Sequence, residues 1–183
     1  MRKLIGSALL LAALALTAGE SVAQRRPAPR RAAAPAPAQR ASFGAELAYG
    51  TDTDFGLGAR VVFGLRSLFP RTPLDAHVGF LYFFPDAPTG VDVTYWEING
   101  NIAYRIPNVR GSLAPYLGGG LNIAHASASS GGLSASDTKL GLNLLGGTTF
   151  KVKGTVIPFV EARGIISGGE QFVISGGMRF SLR

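Results

Sequence analysis

Tyr-Trp-Glu-Ile-Asn-Gly-Asn-Ile-Ala-Tyr-Arg, residues Tyr95 to Arg105, alternates in chemistry almost without a break. Trp96, Ile98, Gly100, Ile102 and Tyr104 form one set; Glu97, Asn99, Asn101 and Arg105 fall on the other, joined by Ala103. Successive side chains of an extended strand point to opposite faces, so a period of two means a strand between two unlike environments. The apolar set begins and ends with an aromatic residue, and that detail decides which environments these are.

The alternation recurs along the chain, between clusters of Gly, Asp, Pro and Ser that mark turns. It predicts eight strands: Ser42 to Tyr49, Asp54 to Leu65, Leu74 to Phe84, Val91 to Ile106, Ala114 to Ala124, Thr138 to Lys151, Thr155 to Ile165 and Gln171 to Leu182. One set of alternate residues is apolar almost throughout. The other carries Glu46, Arg60, Asp75, His77, Glu97, Arg105, Lys139, Asn143, Lys151, Glu161, Arg163 and Arg179, with many glycines. No stretch of this region keeps a helical period, so the fold class is all-β.

Two kinds of barrel have such strands. A soluble carrier puts the apolar set inside and its charges in water. A transmembrane barrel turns the apolar set to lipid and the charges to the lumen. The aromatics distinguish them. On the apolar set, Phe43, Phe63, Tyr104, Phe150 and Phe180 fall near one end of their strands, and Tyr49, Phe55, Tyr82, Trp96 and Phe172 near the other. The pairs Phe55/Phe63, Trp96/Tyr104 and Phe172/Phe180 are eight residues apart. That is about 26 Å along a strand and, with a tilt of about 40°, about 20 Å of height, close to the roughly 25 Å apolar band between aromatic girdles of an outer-membrane barrel. Lipid also requires every backbone amide to be paired, so the sheet is expected to close.

Ala41 to Arg183 is 143 residues. Eight spans of about 11 residues leave roughly 55 for the connections, whereas sixteen would not fit. The expectation is an eight-stranded antiparallel transmembrane β-barrel with both termini on the periplasmic side. Connections assigned to the exterior carry Asp52, Asp54, Asp86, Asp92, Asp137 and Glu170 and no Lys or Arg; periplasmic turns carry Arg66, Arg71, Arg110 and Lys153 and no acid.

The N-terminus agrees with export. Arg2 and Lys3 precede an uncharged apolar run from Leu4 to Ala18, and Ser21-Val22-Ala23 supplies a small-x-small cleavage site before Gln24. The run is shorter than the roughly 20 residues of a spanning helix. Residues 1–23 are therefore read as a signal peptide, 24–40 as a disordered basic linker and 41–183 as the barrel, in the outer membrane of a diderm bacterium. The linker contains only Gln, Arg, Pro and Ala, which gives it nothing to bury. Its five arginines suit a plain tether or contact with anionic peptidoglycan. The absence of cysteine excludes a lipoprotein anchor and disulfide staples. A formal charge of +7 falls to +1 from Ala41 onward, 11 basic residues against 10 acidic, so no nucleic-acid partner is expected.

The interior of an eight-stranded barrel is just wide enough for side chains to fill. Glu46, Asp75, Glu97 and Glu161 face Arg60, Arg105, Arg163 and Arg179 on the inward set, and they are expected to neutralise one another there as a plug. Carboxylates in such a setting are read as structural, with no catalytic residue, metal or cofactor expected. The glycines of this set, among them Gly44, Gly58 and Gly177, are expected to make room for Arg, Tyr116 and Phe159.

Ala114-Pro115-Tyr116-Leu117-Gly118-Gly119-Gly120-Leu121, Pro158-Phe159-Val160-Glu161-Ala162-Arg163 and Gly176-Gly177-Met178-Arg179-Phe180 resemble strands of the small opacity-type or OmpX-type outer-membrane β-barrel proteins. The resemblance covers the chain from Ser42 onward. It implies insertion by the outer-membrane barrel assembly machinery, which in this family reads a last strand ending in an aromatic. Here Leu182 and Arg183 stand where a final Phe is usual. Lipid and lipopolysaccharide are the implied surroundings, and a structural or surface-interaction role the implied function. One alternative is a lipid A esterase. Small barrels that deacylate lipid A use a lipid-facing His-x-Ser pair with a downstream carboxylate, and His125-Ala126-Ser127 is similar to it. No Asn follows Ser127, however, and Lys139 sits where a Glu belongs. The other alternative is a conduit for a small apolar molecule, admitted beside Leu81, Phe83 and Tyr95.

Overall fold

The computed structural model describes residues 41–166 and 170–182. The expected signal peptide and linker lie outside the described residues. Eight strands follow one another: β1 Ala41–Gly50, β2 Asp54–Gly64, β3 Leu74–Phe83, β4 Asp92–Arg105, β5 Leu113–Ser130, β6 Leu133–Phe150, β7 Val156–Ile166 and β8 Gln171–Leu182. Each pairs antiparallel with its sequence neighbours, and β1 pairs with β8 from Ala41↔Leu182 to Gly50↔Val173, which closes the barrel. Closure leaves no strand without neighbours on both sides, the one sheet topology that satisfies its backbone away from water.

Burial follows the sequence alternation. In β4 Ile98, Ile102 and Tyr104 are exposed while Glu97, Asn99, Asn101 and Ala103 are buried. Leu144 and Leu117 are 60% and 59% exposed, whereas Glu97 is 0% exposed. A protein in water does the reverse, so the outer wall is built for hydrocarbon. Among the described residues no helix is long and apolar enough to cross a membrane; the crossing is made by strands.

The aromatics of the outer wall lie in two rows. Phe43, Phe63, Tyr104, Phe150 and Phe180 surround the mouth that carries Ala41 and Leu182, and Tyr49, Phe55, Tyr82, Trp96 and Phe172 surround the opposite mouth. Register brings several into contact: Phe43 faces Phe180 with ring centroids 5.8 Å apart, and Tyr49 faces Phe55 at 5.2 Å.

One pair of strands departs from the sequence reading. The run Ser127 to Ser136 is not a loop; β5 and β6 continue through it as a hairpin of two 18-residue strands, paired to Ser130↔Leu133. Gly131 and Gly132 make the turn with φ of 57° and 85°, the two positive values that a type I′ hairpin turn requires. The hairpin rises past the aromatic row at Trp96, where β4 supports it as far as Asp92↔Ser129. On its other side β7 pairs with β6 only between Leu142 and Thr149. Lys139 consequently does not join the lumen set: it stands in this raised part, side chain 55% exposed, 3.6 Å from Asp137. Lys151 also lies outside the lumen, its ammonium donating to the carbonyls of Val109 and Gly111 in a turn.

Candidate functional site

The inward side chains form successive layers along the barrel axis. In the middle layer Arg60 of β2 bridges two carboxylates. Its Nη2 lies 2.6 Å from Glu46 Oε2 on the adjacent β1 and 2.8 Å from Glu161 Oε1 on β7, across the interior. Its Nη1 donates to Glu161 Oε2 at 2.7 Å, so Glu161 is held by both arms of the fork. Charge-assisted, bidentate bonds of this kind are the strong ones. Tyr116 donates its hydroxyl to the same Glu161 Oε2 at 2.9 Å. The Arg60 guanidinium also sits 4.6 Å from the centre of the Phe159 ring. Gly147 makes this layer possible, because a Cβ there would lie 2.6 Å from the Tyr116 hydroxyl.

The next layer centres on Glu97. Its carboxylate accepts from Arg163 at 2.7 Å, Gln171 at 3.1 Å, Tyr95 at 3.2 Å and Asn99 at 3.3 Å. An asparagine cluster continues from it. Asn122 and Asn143 both donate to Asn99 Oδ1 at 2.9 Å, and Asn143 also reaches Asn101 Oδ1 at 2.8 Å. Beyond, toward the hairpin end, Ala48, Leu81, Phe83 and Val173 pack together with Tyr95 against them.

Toward the mouth that carries the termini, Arg105 pairs with Asp75 at 2.9 Å in a half-open position. Arg179 is different. It has no carboxylate within 4.0 Å among the described residues; its nearest polar partner is Ser42 Oγ at 3.4 Å, and its guanidinium lies 5.6 Å from the Phe159 ring. The eight charged residues read from the sequence thus divide into a triad of Arg60 with Glu46 and Glu161, the pairs Arg163–Glu97 and Arg105–Asp75, and Arg179 apart. The polar partners Tyr116, Gln171 and the four asparagines complete the layers; strand parity already puts Tyr116, Asn99, Asn101 and Asn143 on the inward set, and the same parity extends to Asn122 and Gln171, which the sequence reading did not name.

His125 and Ser127 lie on the outer wall of β5. The His125 ring stacks on Trp96 with centroids 5.1 Å apart, and its Nδ1 is 2.8 Å from Thr138 Oγ1. No hydrogen bond joins it to Ser127 among the described residues, and no carboxylate orients it. A serine nucleophile needs its base within hydrogen-bond reach.

No family model and no curated protein matches the sequence. Solved structures do match. The N-terminal β-barrel domain of Pseudomonas aeruginosa OprF superposes with a TM-score of 0.62 at 11% identity, over 78% of this chain and 97% of that one. The chain has the fold of the small outer-membrane barrels. Neisserial surface protein A shares this fold at a TM-score of 0.58 and 21% identity, over 79% of this chain and 97% of that one. Ail, the attachment invasion locus protein of Yersinia pestis, does so at 0.54 and 14%, with the same coverage. At such identities the small-barrel fold is common ground, and the layers of the interior are this chain's own.

Proposed function

We propose that the protein is an integral outer-membrane barrel with a structural or surface-interaction role, its termini in the periplasm and its interior closed to solutes. The observation that carries this reading is the continuous apolar outer wall between two aromatic rows, which is stable only against lipid. Orientation rests on charge and length. The hairpin end carries Asp52, Asp54, Asp86, Asp92 and Asp137 with Lys139 as its one base among the described residues, while the turns at the other end carry Arg66, Arg71, Arg110, Lys151 and Lys153. The long β5–β6 hairpin then projects from the cell, where it and the acidic connections face lipopolysaccharide and whatever the surface meets. The assembly machinery inserts the barrel, and the basic linker 24–40 lies in the periplasm within reach of peptidoglycan.

One complex of Ail holds a heparin analogue, sucrose octasulfate. The acidic outer connections of this chain repel such a polyanion, so soluble partners of these connections are neutral or cationic. Two measurements test the reading. Outer-membrane fractions run on a gel with and without boiling show a mobility shift, since a closed barrel resists detergent until heated; the mature chain free in periplasmic extract, with no shift, overturns it. Protease added to intact cells is expected to cleave within Ser127 to Ser136 and to spare Arg66 to Arg71; the opposite pattern reverses the orientation.

A further inference from the structure

A cavity of about 370 Å³ opens at the mouth that carries Ala41 and Leu182. This is within the usual range for a small-molecule site, roughly 300–1,000 Å³. Among the described residues its wall holds three arginines, Arg66, Arg105 and Arg179, against one carboxylate, Asp75. Asp75 is already taken by Arg105 at 2.9 Å. Arg179 is only 7% exposed, and its Nε, with the Nδ1 of the neighbouring His77, is buried without a hydrogen-bond partner. A buried guanidinium with no carboxylate in direct contact is costly, and an anion beside it lowers that cost. The turns around the mouth add Arg71, Arg110, Lys151 and Lys153 and, among the described residues, no acid, a field that draws anions inward.

We propose that this cavity is a binding site for a small oxyanion of the phosphate class, gripped by Arg179 and Arg105. The guanidinium fork matches the oxygens of a phosphate in geometry as well as in charge. The chain's own linker cannot fill this role, because residues 24–40 carry five arginines and no acid. The anion is either free phosphate or a phosphate carried on a lipid headgroup, since the mouth opens where both have access. The inference does not depend on which side of the membrane that mouth faces, and its failure leaves the gel shift and the protease pattern as they are.

The test is a titration of the full barrel refolded in a maltoside detergent, which contains no phosphate, following the arginine Nε–Hε signals by NMR. Inorganic phosphate is expected to shift Arg179 and Arg105 saturably and to leave Arg163 unmoved, since Arg163 lies in the Glu97 layer away from the cavity. Short-chain phosphatidic acid added to the micelles is the second arm. Saturation by lipid alone assigns the site to headgroups; saturation by inorganic phosphate assigns it to the free ion. Arg105→Gln, at a half-exposed position on the rim of the cavity, is expected to weaken binding roughly tenfold, the loss of a charged hydrogen bond. No saturation in either arm, an equal response at Arg163, or unchanged affinity in Arg105→Gln overturns the proposal.

Discussion

At the scale of single residues, Arg60 is the side chain on which the interior turns. It holds Glu46 and Glu161 together from neighbouring and opposite walls, and without it two buried carboxylates share one layer. Arg60→Met is expected to cost about 3–5 kcal/mol, the penalty for leaving buried charge without its partner, measured by urea unfolding of the refolded barrel. Gly147→Ala brings a methyl group against the Tyr116 hydroxyl and is expected to cost about 1–3 kcal/mol, as overpacking does; Tyr116→Phe in the same chain recovers part of it. A full-strength Gly147→Ala in unfolding assays would show that the layer has room to spare. Alternation told which residues share a face, but not which of them meet. Arg60 and Glu161 are 101 residues apart, and Gln171 and Glu97 are 74 apart. Such pairs depend on the tilt and stagger of the whole barrel, which no local pattern records.

At the scale of elements, the strands were legible wherever the two faces differ in solvent. From Ser127 to Ser130 they do not: Ala and Ser alternate in a hairpin with water on both sides, and both residue types read as loop. The signal that does set this hairpin is Gly131-Gly132. Gly132→Val, forced to a φ of 85°, is expected to cost about 1–2 kcal/mol. It should loosen the tip alone, seen as faster hydrogen exchange from Ala126 to Asp137 with no change at Asn99 or Asn122. Lipid contact should divide β5 in the same way. Leu121→Arg, facing out at mid-height, is expected to destabilise by about 2–4 kcal/mol, while an arginine near the water boundary costs little. Ser127→Arg should therefore leave the unfolding curve in place; equal penalties at the two sites would mean the outer wall does not sit in hydrocarbon.

At the scale of the whole molecule, the layers predict what passes through it. The Arg60 triad and the Glu97 cluster span the interior with side chains that bind one another, so planar bilayers containing the protein are expected to show no large, stable single-channel steps; their appearance would mean the interior is open. The eightfold alternation and the aromatic rows made this architecture legible, and closure followed from the need to satisfy every amide. Closure also has a kinetic side. Seven of the eight strand junctions join neighbours in sequence, but the junction of β1 with β8 joins Ala41 to Leu182. Bringing ends that far apart together costs about 4 kcal/mol of chain entropy, against about 1 kcal/mol for a four-residue hairpin loop. That junction therefore zips last, and until it does two raw strand edges face lipid, where each unpaired amide costs several kcal/mol. A surface that covers those two strands during assembly is therefore expected to speed closure more than one placed elsewhere on the circumference.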